Sequence, residues 1–218
     1  MSSIRVGEEQ MSEKKPMVLV LAGPNGSGKS TITQYFDKIG TYTNADDIVA
    51  ATGMSNQEAA EFVDHKRYEA IENGEDFTFE TVLSSQYKIE ILKKAKESGY
   101  FIKCVFMLTV DPEVNVARVA TRVASGGHDV EKSKIIERYY KAVANIPQLM
   151  ELCDILHIYD NTITPVRIVR KHKDDISIFP NDLWPEAKII ELIGESDTPK
   201  NPPKLPKKFT LNNNLGLR

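Results

Sequence analysis

A glycine-rich loop follows the first apolar run of this chain and limits the folds that the sequence can adopt. Residues 23–30 (GPNGSGKS) match the pattern G-x-x-x-x-G-K-[ST] in full. The preceding residues 17–21 (MVLVL) are typical of a fully buried strand. From Ser30 to Ile39 apolar residues recur at helical spacing, and Gly40 can adopt the left-handed conformation that ends a helix. This order of strand, loop and helix is that of a phosphate-binding loop, or P-loop.

The chemistry of this loop predicts a site for a nucleoside triphosphate, ATP or GTP, together with Mg²⁺. Glycines let backbone N–H groups close around phosphate oxygens, and the helix N-terminus adds a positive dipole. Lys29 is expected to reach the β- and γ-phosphates, and Ser30 to place its hydroxyl on Mg²⁺. The candidate nucleotide-binding residues are Gly23, Pro24, Asn25, Gly26, Ser27, Gly28, Lys29, Ser30 and Thr31.

An acidic pair in residues 44–48 (NADDI) is a candidate for the group that acts on a phosphoryl acceptor. Asp46 and Asp47 follow a short apolar patch, and in a doubly wound sheet they would lie at the same edge as the loop. A carboxylate placed there can deprotonate an acceptor hydroxyl. The alternative role for either residue is to cap the helix that begins near Ile48.

Glu80 is a further candidate carboxylate, near the end of the strand-like run at 77–82 (FTFETV). Beside Thr81 and Ser84, it could steer metal-bound water or hold a polar substrate. A solvated strand end is the alternative interpretation.

Three arginines, Arg118, Arg122 and Arg138, flank a glycine turn that contains His128. Arginines near a mobile turn suit a lid that closes over the phosphates and spreads the charge of the transition state. For each arginine a plain surface role is the alternative. His128 follows two glycines directly, which favours a contact with substrate or phosphate over a simple turn residue.

Strand-like runs alternate with helical segments along the chain. Strands are expected at 77–82, 100–108 and 154–159, a hairpin at 166–169 and 176–179, and helices at 48–51, 56–73, around 89–95, 112–124, about 129–145 and 184–193. Asp111 and Asp129 are expected to cap the helices that follow them. The alternation predicts an α/β fold of the P-loop NTPase, kinase-like type. Its doubly wound, mostly parallel sheet would carry helices on both faces, an edge hairpin and a helical lid at about 112–145.

Composition disfavours several other classes of protein. The formal net charge of −3 argues against a generic nucleic-acid binder. Apolar runs stay short of the roughly 20 residues that span a bilayer, and the first residues lack the features of a secretory or transit signal. Cys104 and Cys153 lie in apolar stretches without metal-ligand spacing, so we expect two buried reduced thiols and a cytoplasmic location.

Several of these segments together resemble the zeta-toxin family of P-loop kinases, especially its short, compact branch. The resemblance runs from about Val18 to Asn161 and is carried by AGPNGSGKST, NADDI, FETVLSS, DPEVNVARVATRVASGGHDV and YDN. It implies an enzyme that transfers the γ-phosphate of ATP to the 3′-hydroxyl of the sugar in UDP-N-acetylglucosamine, a UDP-activated amino sugar. It also implies an antitoxin partner.

The resemblance assigns roles to individual residues. The catalytic base falls on Asp46, and the carboxylate at the end of a Walker-B-like strand falls on Glu80. Arg122 matches the first lid arginine, whereas the second is replaced by the GGHD turn, where His128 or Arg138 could substitute. The full set comprises catalytic Asp46, Lys29, Arg122 and Arg118, substrate-binding Asp46, Asp47, Glu80, Thr81, Ser84, His128 and Arg138, and metal-binding Ser30 and, through water, Glu80.

On this interpretation, residues 1–16 form a flexible N-terminus, 17–194 the P-loop kinase domain and 195–218 a tail rich in Pro, Lys and Asn. Two alternatives stay open. The same chemistry could act on a nucleoside, a nucleotide or another sugar. The chain could also be a non-catalytic binding module that contacts a partner protein when nucleotide is bound.

Overall fold

The structure, a computed structural model, describes residues 14–127 and 129–194 of the chain. Residues 1–13, His128 and the predicted tail at 195–218 lie outside the described residues. The strands are β1 (Met17–Ala22), β2 (Thr41–Thr43), β3 (Phe77–Thr81), β4 (Phe101–Leu108), β5 (Ile155–Asp160), β6 (Val166–His172) and β7 (Asp175–Ile178). The helices are α1 (Lys29–Thr33), α2 (Ala45–Thr52), α3 (Asn56–Asn73), α4 (Gln86–Glu97), α5 (Pro112–Ala124), α6 (Lys132–Ala144), α7 (Ile146–Leu152) and α8 (Glu186–Ile193).

Within residues 14–127 and 129–194, seven strands join one sheet in the order β2-β3-β1-β4-β5-β6-β7. Strands β1 to β5 pair in parallel, whereas β6 and β7 are antiparallel and close one edge as a hairpin. The predicted α/β class and edge hairpin are therefore confirmed. Register aligns Ala22 of β1 with Thr81 of β3, and Thr43 of β2 with Phe79 of β3. Because parallel strands end at the same edge, the residues that follow β1, β2 and β3 come together there.

The two faces of the sheet are covered unequally. One face packs its alternate apolar side chains, such as Val20, Phe79 and Phe106, against residues of α3, α4, α6, α7 and α8. The opposite face forms a smaller cluster in which Leu19, Leu21, Val105 and Met107 meet Ile32 of α1, with the chain just after α1 packed beside it. The small cluster fixes α1 directly beneath the loop that precedes it.

The bounds of two helices differ from the predictions. Helix α1 ends at Thr33 rather than near Ile39, because the backbone N–H and carbonyl of Ile39 both bond to the Thr78 hydroxyl at 2.8 Å. This tie to β3 holds the chain out of the helix. Helix α6 begins at Lys132 after Glu131, so Asp129 does not cap it.

An additional helix, α7, follows α6 directly, with a proline in its first turn. It buries Ile146, Leu149 and Met150, which are spaced three and four residues apart and so share one face. The sequence expectation had ended this region near Asn145. Among the described helices, none has the length and apolar character needed to cross a bilayer.

Candidate active site

A cavity of about 630 Å³ opens where β1, β2 and β3 end. The lining includes many of the residues predicted from the sequence: Asn25, Gly26, Gly28, Lys29, Ser30, Thr31, Asp46, Glu80, Thr81, Ser84, Arg118, Arg122 and Arg138. Gly23, Pro24, Ser27 and Asp47 are described but do not line it. The predicted contact by His128 concerns a residue outside the described part of the chain. The sheet thus brings the glycine loop, the acidic motifs and the arginines to one place.

Two asparagine side chains support the glycine loop by hydrogen bonds to its backbone carbonyls. Asn115 of α5 donates its side-chain amide to the Asn25 carbonyl at 2.6 Å, and Asn161 donates to the Ser27 carbonyl at 2.8 Å. Gly28 has a φ of 88°, and a Cβ there would lie 2.1 Å from the Asn161 amide nitrogen. The loop therefore needs glycine both for its left-handed backbone and for close packing on this support.

The Lys29 ammonium lies inside the loop, where it donates to the carbonyls of Gly23 at 2.7 Å and Pro24 at 3.2 Å. Burial lowers its pKa, which the charges of Glu80 and Asp46 oppose and the charge of Arg122 reinforces. A half-buried cation at the start of α1, where helical N–H groups have no intrahelical partner, marks a place for negative charge. The residues present therefore fit the phosphates of a nucleotide.

Asp46 lies in the first turn of α2 at the opposite side of the cavity. The helix cap is Asn44, whose side-chain oxygen accepts from the Asp46 N–H at 3.1 Å. Neither Asp46 nor Asp47 is therefore needed as the cap. Both aspartates are exposed, but Asp46 lines the cavity and Asp47 does not.

Glu80 is half-buried on β3 between the two sides of the cavity. Burial raises the pKa of its carboxyl, against the opposing effects of the Lys29 charge and the Tyr42 hydroxyl. The Tyr42 hydroxyl lies 3.4 Å from the Glu80 carboxylate, and burial together with this neighbour raises the pKa of Tyr42 to about 12. Glu80 thus faces both the P-loop lysine and the acidic motif.

The segment after β3 turns back on a residue with an unusual backbone. Leu83 is fully buried and has a φ of 56°, a left-handed conformation that side chains other than glycine rarely adopt. Its N–H donates to the Thr81 hydroxyl at 3.0 Å, and its carbonyl accepts from the Asn145 amide at 2.9 Å. The turn brings Ser84 and Ser85 into the lining of the cavity.

Asp64, Arg67 and Lys88 form a charge network in the wall of the cavity, and none of the three was predicted as a site residue. Arg67 of α3 donates to Asp64 at 2.7 Å, and Lys88 of α4 donates to both oxygens of the same carboxylate at 2.5 Å. Arg67 and Lys88 line the cavity. Asp64 and Arg67 lie three residues apart on α3, which by spacing alone indicates an ordinary surface pair, whereas Lys88 lies 24 positions from Asp64 and gives no local sign of the contact.

The three predicted arginines reach the phosphate side of the cavity from α5 and α6. Arg118 donates to the Thr162 carbonyl at 3.1 Å, and Arg138 approaches the Asn25 side chain at 3.5 Å. Arg122 lies near enough to lower the pKa of Lys29. Their position suits the binding of phosphate oxygens, since guanidinium groups form paired hydrogen bonds with such groups.

The oxygen donors at this edge also fit Mg²⁺. Magnesium binds through one or two protein oxygens together with substrate phosphates and water. Ser30 is exposed in the first turn of α1, Glu80 is half-buried on β3, and both line the cavity. Within residues 14–127 and 129–194, no group of three or more His, Cys, Asp and Glu side chains could hold a metal ion. Away from the site, Cys104 and Cys153 are free and buried, as predicted.

Comparison with known proteins agrees with the geometry. Residues 42–183 match the model of the family described as Zeta toxin. An uncharacterised protein of Haemophilus influenzae is 30% identical over 123 residues, which cover 54% of this chain and 88% of that protein. The P-loop lies before the matched range of the family and is identified by its own motif.

Solved structures share the fold. A chain of the AvrRxo1-ORF1:AvrRxo1-ORF2 complex with sulphate ions aligns with a TM-score of 0.61 at 13% identity, over 87% of this chain and 67% of that one. The complex with ATP gives 0.61 at 15% identity, over 86% and 67%. A chain from the PezAT toxin–antitoxin system of Streptococcus pneumoniae gives 0.51 at 18% identity, over 71% of each chain. Because the family match spans more than half of the sequence, this chain belongs to the zeta toxin family, a family of ATP-dependent P-loop kinases.

Proposed function

We propose that this kinase transfers the γ-phosphate of ATP to a sugar hydroxyl of UDP-N-acetylglucosamine, with Asp46 as the catalytic base. One observation carries the proposal: Asp46 and the P-loop residues Lys29 and Ser30 line the same cavity. The electrostatic effect of Asp46 on the pKa of Lys29 supports their closeness. A base facing the phosphate cradle is what a phosphotransferase needs in order to activate an alcohol.

The reaction would proceed as an in-line displacement. The Asp46 carboxylate takes the proton of the sugar hydroxyl, whose oxygen forms a bond to the γ-phosphorus. The bond between that phosphorus and the oxygen bridging to the β-phosphate breaks, and ADP leaves. Lys29 and the arginines Arg118, Arg122 and Arg138 would stabilise the negative charge that spreads over the transferred group.

Mg²⁺ would be held by the Ser30 hydroxyl and, through water, by Glu80, and when bound it would neutralise charge on the phosphates. Glu80 would also orient the acceptor, since its carboxylate lies between Lys29 and the acidic motif. We assign the base to Asp46 rather than Asp47 because Asp47 lies outside the lining of the cavity.

The acceptor is the one that the family resemblance implies. Hydroxyl and amide groups of Asn44, Thr81, Ser84 and Ser85 line the cavity and offer hydrogen bonds suited to a sugar. We also propose an antitoxin partner, because the AvrRxo1 and PezAT neighbours come from two-protein assemblies, the latter a toxin–antitoxin system. We also propose that the protein acts in the cytoplasm, because free buried cysteines such as Cys104 and Cys153 are typical of a reducing compartment.

The test compares wild type with Asp46→Asn in the presence of ATP, Mg²⁺ and UDP-N-acetylglucosamine. We expect the variant to transfer phosphate about 100-fold or more slowly, because the base is lost. Its dissociation constant for ATP, measured by calorimetry, should stay near the wild-type value. Asp47→Asn serves as the matched control and should retain most of the activity. Undiminished transfer by Asp46→Asn would refute the assignment of the base.

A further inference from the structure

Arg67 is among the most buried charged residues of the fold, and its side chain is fully engaged. It is 2% exposed and its guanidinium lies 4.5 Å from the centre of the Phe79 ring. One nitrogen donates to Asp64 at 2.7 Å. The other two donate to a single residue, Thr43, with Nε 2.9 Å from its hydroxyl and Nη2 3.3 Å from its carbonyl. The planar guanidinium therefore holds Thr43 by both its side chain and its backbone.

Thr43 is the last residue of β2, and this strand needs an additional anchor. Strand β2 has three residues and lies at the edge of the sheet, where β3 is its one partner among the described strands. A short edge strand gains few backbone hydrogen bonds. Asn44 follows at once as the cap of α2, and Asp46 lies three residues after Thr43. Any displacement at Thr43 would therefore move Asp46.

Stability alone is a weak reason for such a network. Burying ions costs desolvation free energy, and apolar replacements of buried ion pairs are often neutral or stabilising. Burial lowers the pKa of both Arg67 and Lys88, which shows that each ion is held against this cost. A role in geometry explains the charges better than a role in packing.

We propose that Arg67 is a positioning residue that, by holding Thr43, keeps the start of α2 and with it Asp46 at the correct distance from the P-loop. Asp64 and Lys88 complete the charge network around Arg67. Asp64 fixes the second end of the guanidinium, and Lys88 extends the network from α3 to α4, close to the Ser84 and Ser85 wall. The network thus joins two walls of the acceptor side of the cavity. This inference rests on the proposed role of Asp46 as the base.

The test uses Arg67→Met and Arg67→Lys in the full-length chain, with Lys66→Met as the control. Lys66 is the neighbouring residue on α3, is exposed and pairs with Glu69. We expect Arg67→Met to lower the rate of transfer about 10- to 100-fold with little change in ATP affinity, because a misplacement of about 1 Å can cost that much. Arg67→Lys keeps a charge beside Asp64 and should keep the fold. Its rate should stay below that of wild type, because a lysine ammonium cannot donate to both the hydroxyl and the carbonyl of Thr43 in the geometry of the guanidinium.

A double variant separates positioning from general damage. If Arg67 acts through Asp46, then Arg67→Met with Asp46→Asn should be no slower than Asp46→Asn alone. Three results would overturn the proposal. They are a double variant whose loss of rate is the sum of the two single losses, a wild-type rate in Arg67→Met, and a fall in ATP affinity of Arg67→Met as large as its fall in rate.

Hydrogen exchange keeps the inference separate from the proposed function. Amides of residues 43–47 should exchange about 10-fold faster in both Arg67 variants, and not in Lys66→Met. If wild type phosphorylates none of the acceptors offered, the proposed function fails. Hydrogen exchange at residues 43–47 still decides whether Arg67 holds this segment in place. Unchanged exchange at 43–47 would refute the clamp.

Discussion

The phosphate side and the acceptor side of the cavity are built in different ways. Residues 23–31 form the phosphate side as one continuous run, whose backbone rests on two asparagine amides. The acceptor side carries Asp46 in the first turn of α2, directly after the short edge strand β2, and side chains from α3 and α4 fix the end of that strand. The first is a local structure with long-range support. The second combines a local cap, the Asn44 side chain that accepts from the Asp46 N–H, with long-range contacts made by Arg67 and Lys88. We therefore expect substitutions that change backbone conformation to impair mainly the phosphate side. Substitutions that remove side chains of α3 and α4 should impair mainly the acceptor side.

The largest difference between the two sides is expected from Gly28→Ala. The new Cβ would meet the Asn161 amide at 2.1 Å on a backbone with a φ of 88°. Strain of this kind costs about 1–3 kcal/mol, and displacing the buried amide adds a similar amount. We expect ATP affinity to fall about 100-fold, as measured by calorimetry, while exchange at residues 43–47 stays unchanged.

Gly99→Ala is the matched control, because Gly99 has a φ of 83° and a Cβ there would meet nothing within 4 Å. This variant should lose some stability and keep its ATP affinity. Equal losses of ATP affinity in the two variants would show that backbone strain in general, and not the shape of the loop, limits binding.

A smaller effect is expected from pH on the acceptor side. Burial raises the pKa of Glu80 above its ordinary value of 4.5, so the carboxylate forms only at higher pH. Activity that needs this carboxylate is lost as the pH falls through the raised pKa. The linked stability has the opposite sign: it is present below the ordinary value and lost as the pH rises through the folded-state pKa.

Glu80→Gln should therefore move the acidic limb of the kcat/KM profile to lower pH and lower kcat by about fivefold. Rate profiles between pH 4.5 and 8 for wild type, Glu80→Gln and the exposed control Glu90→Gln would check this, since the hydrogen bond from Lys93 lowers the pKa of Glu90. An acidic limb that is the same in all three would remove Glu80 from the catalytic account.

Much of the fold follows from local signals in the sequence. The apolar run before the loop gives β1, and Asp111 with Pro112 marks the start of α5, whose bounds agree with the expectation. Local signals fail where tertiary contacts decide. Helix α1 is short because Thr78, 39 residues away, binds Ile39. Helix α7 was not predicted: the expected helix ended near Asn145, whereas the structure has a further helix with a proline in its first turn, where proline is well tolerated.

The same division holds within the site. The P-loop, Asp46, Glu80 and the three arginines were found from motifs, and the structure brings them to one cavity. Arg67, Asp64 and Lys88 were missed. The spacing of Asp64 and Arg67 on α3 is that of an ordinary surface pair, and no local pattern indicates that Lys88 of α4 meets them. Asn161 lies in the YDN segment that the family resemblance includes, yet its support of the Ser27 carbonyl becomes visible only in the fold.

The central claim is that the base and the phosphate cradle act together on a sugar. The most direct measurement is mass spectrometry combined with phosphorus NMR after incubation of the protein with ATP, Mg²⁺ and UDP-N-acetylglucosamine. The account predicts a nucleotide sugar heavier by one phosphate, attached at the 3′-hydroxyl, and almost none with Asp46→Asn. ATP binding without any phosphorylated product, from this acceptor or from a whole cell extract, would contradict it.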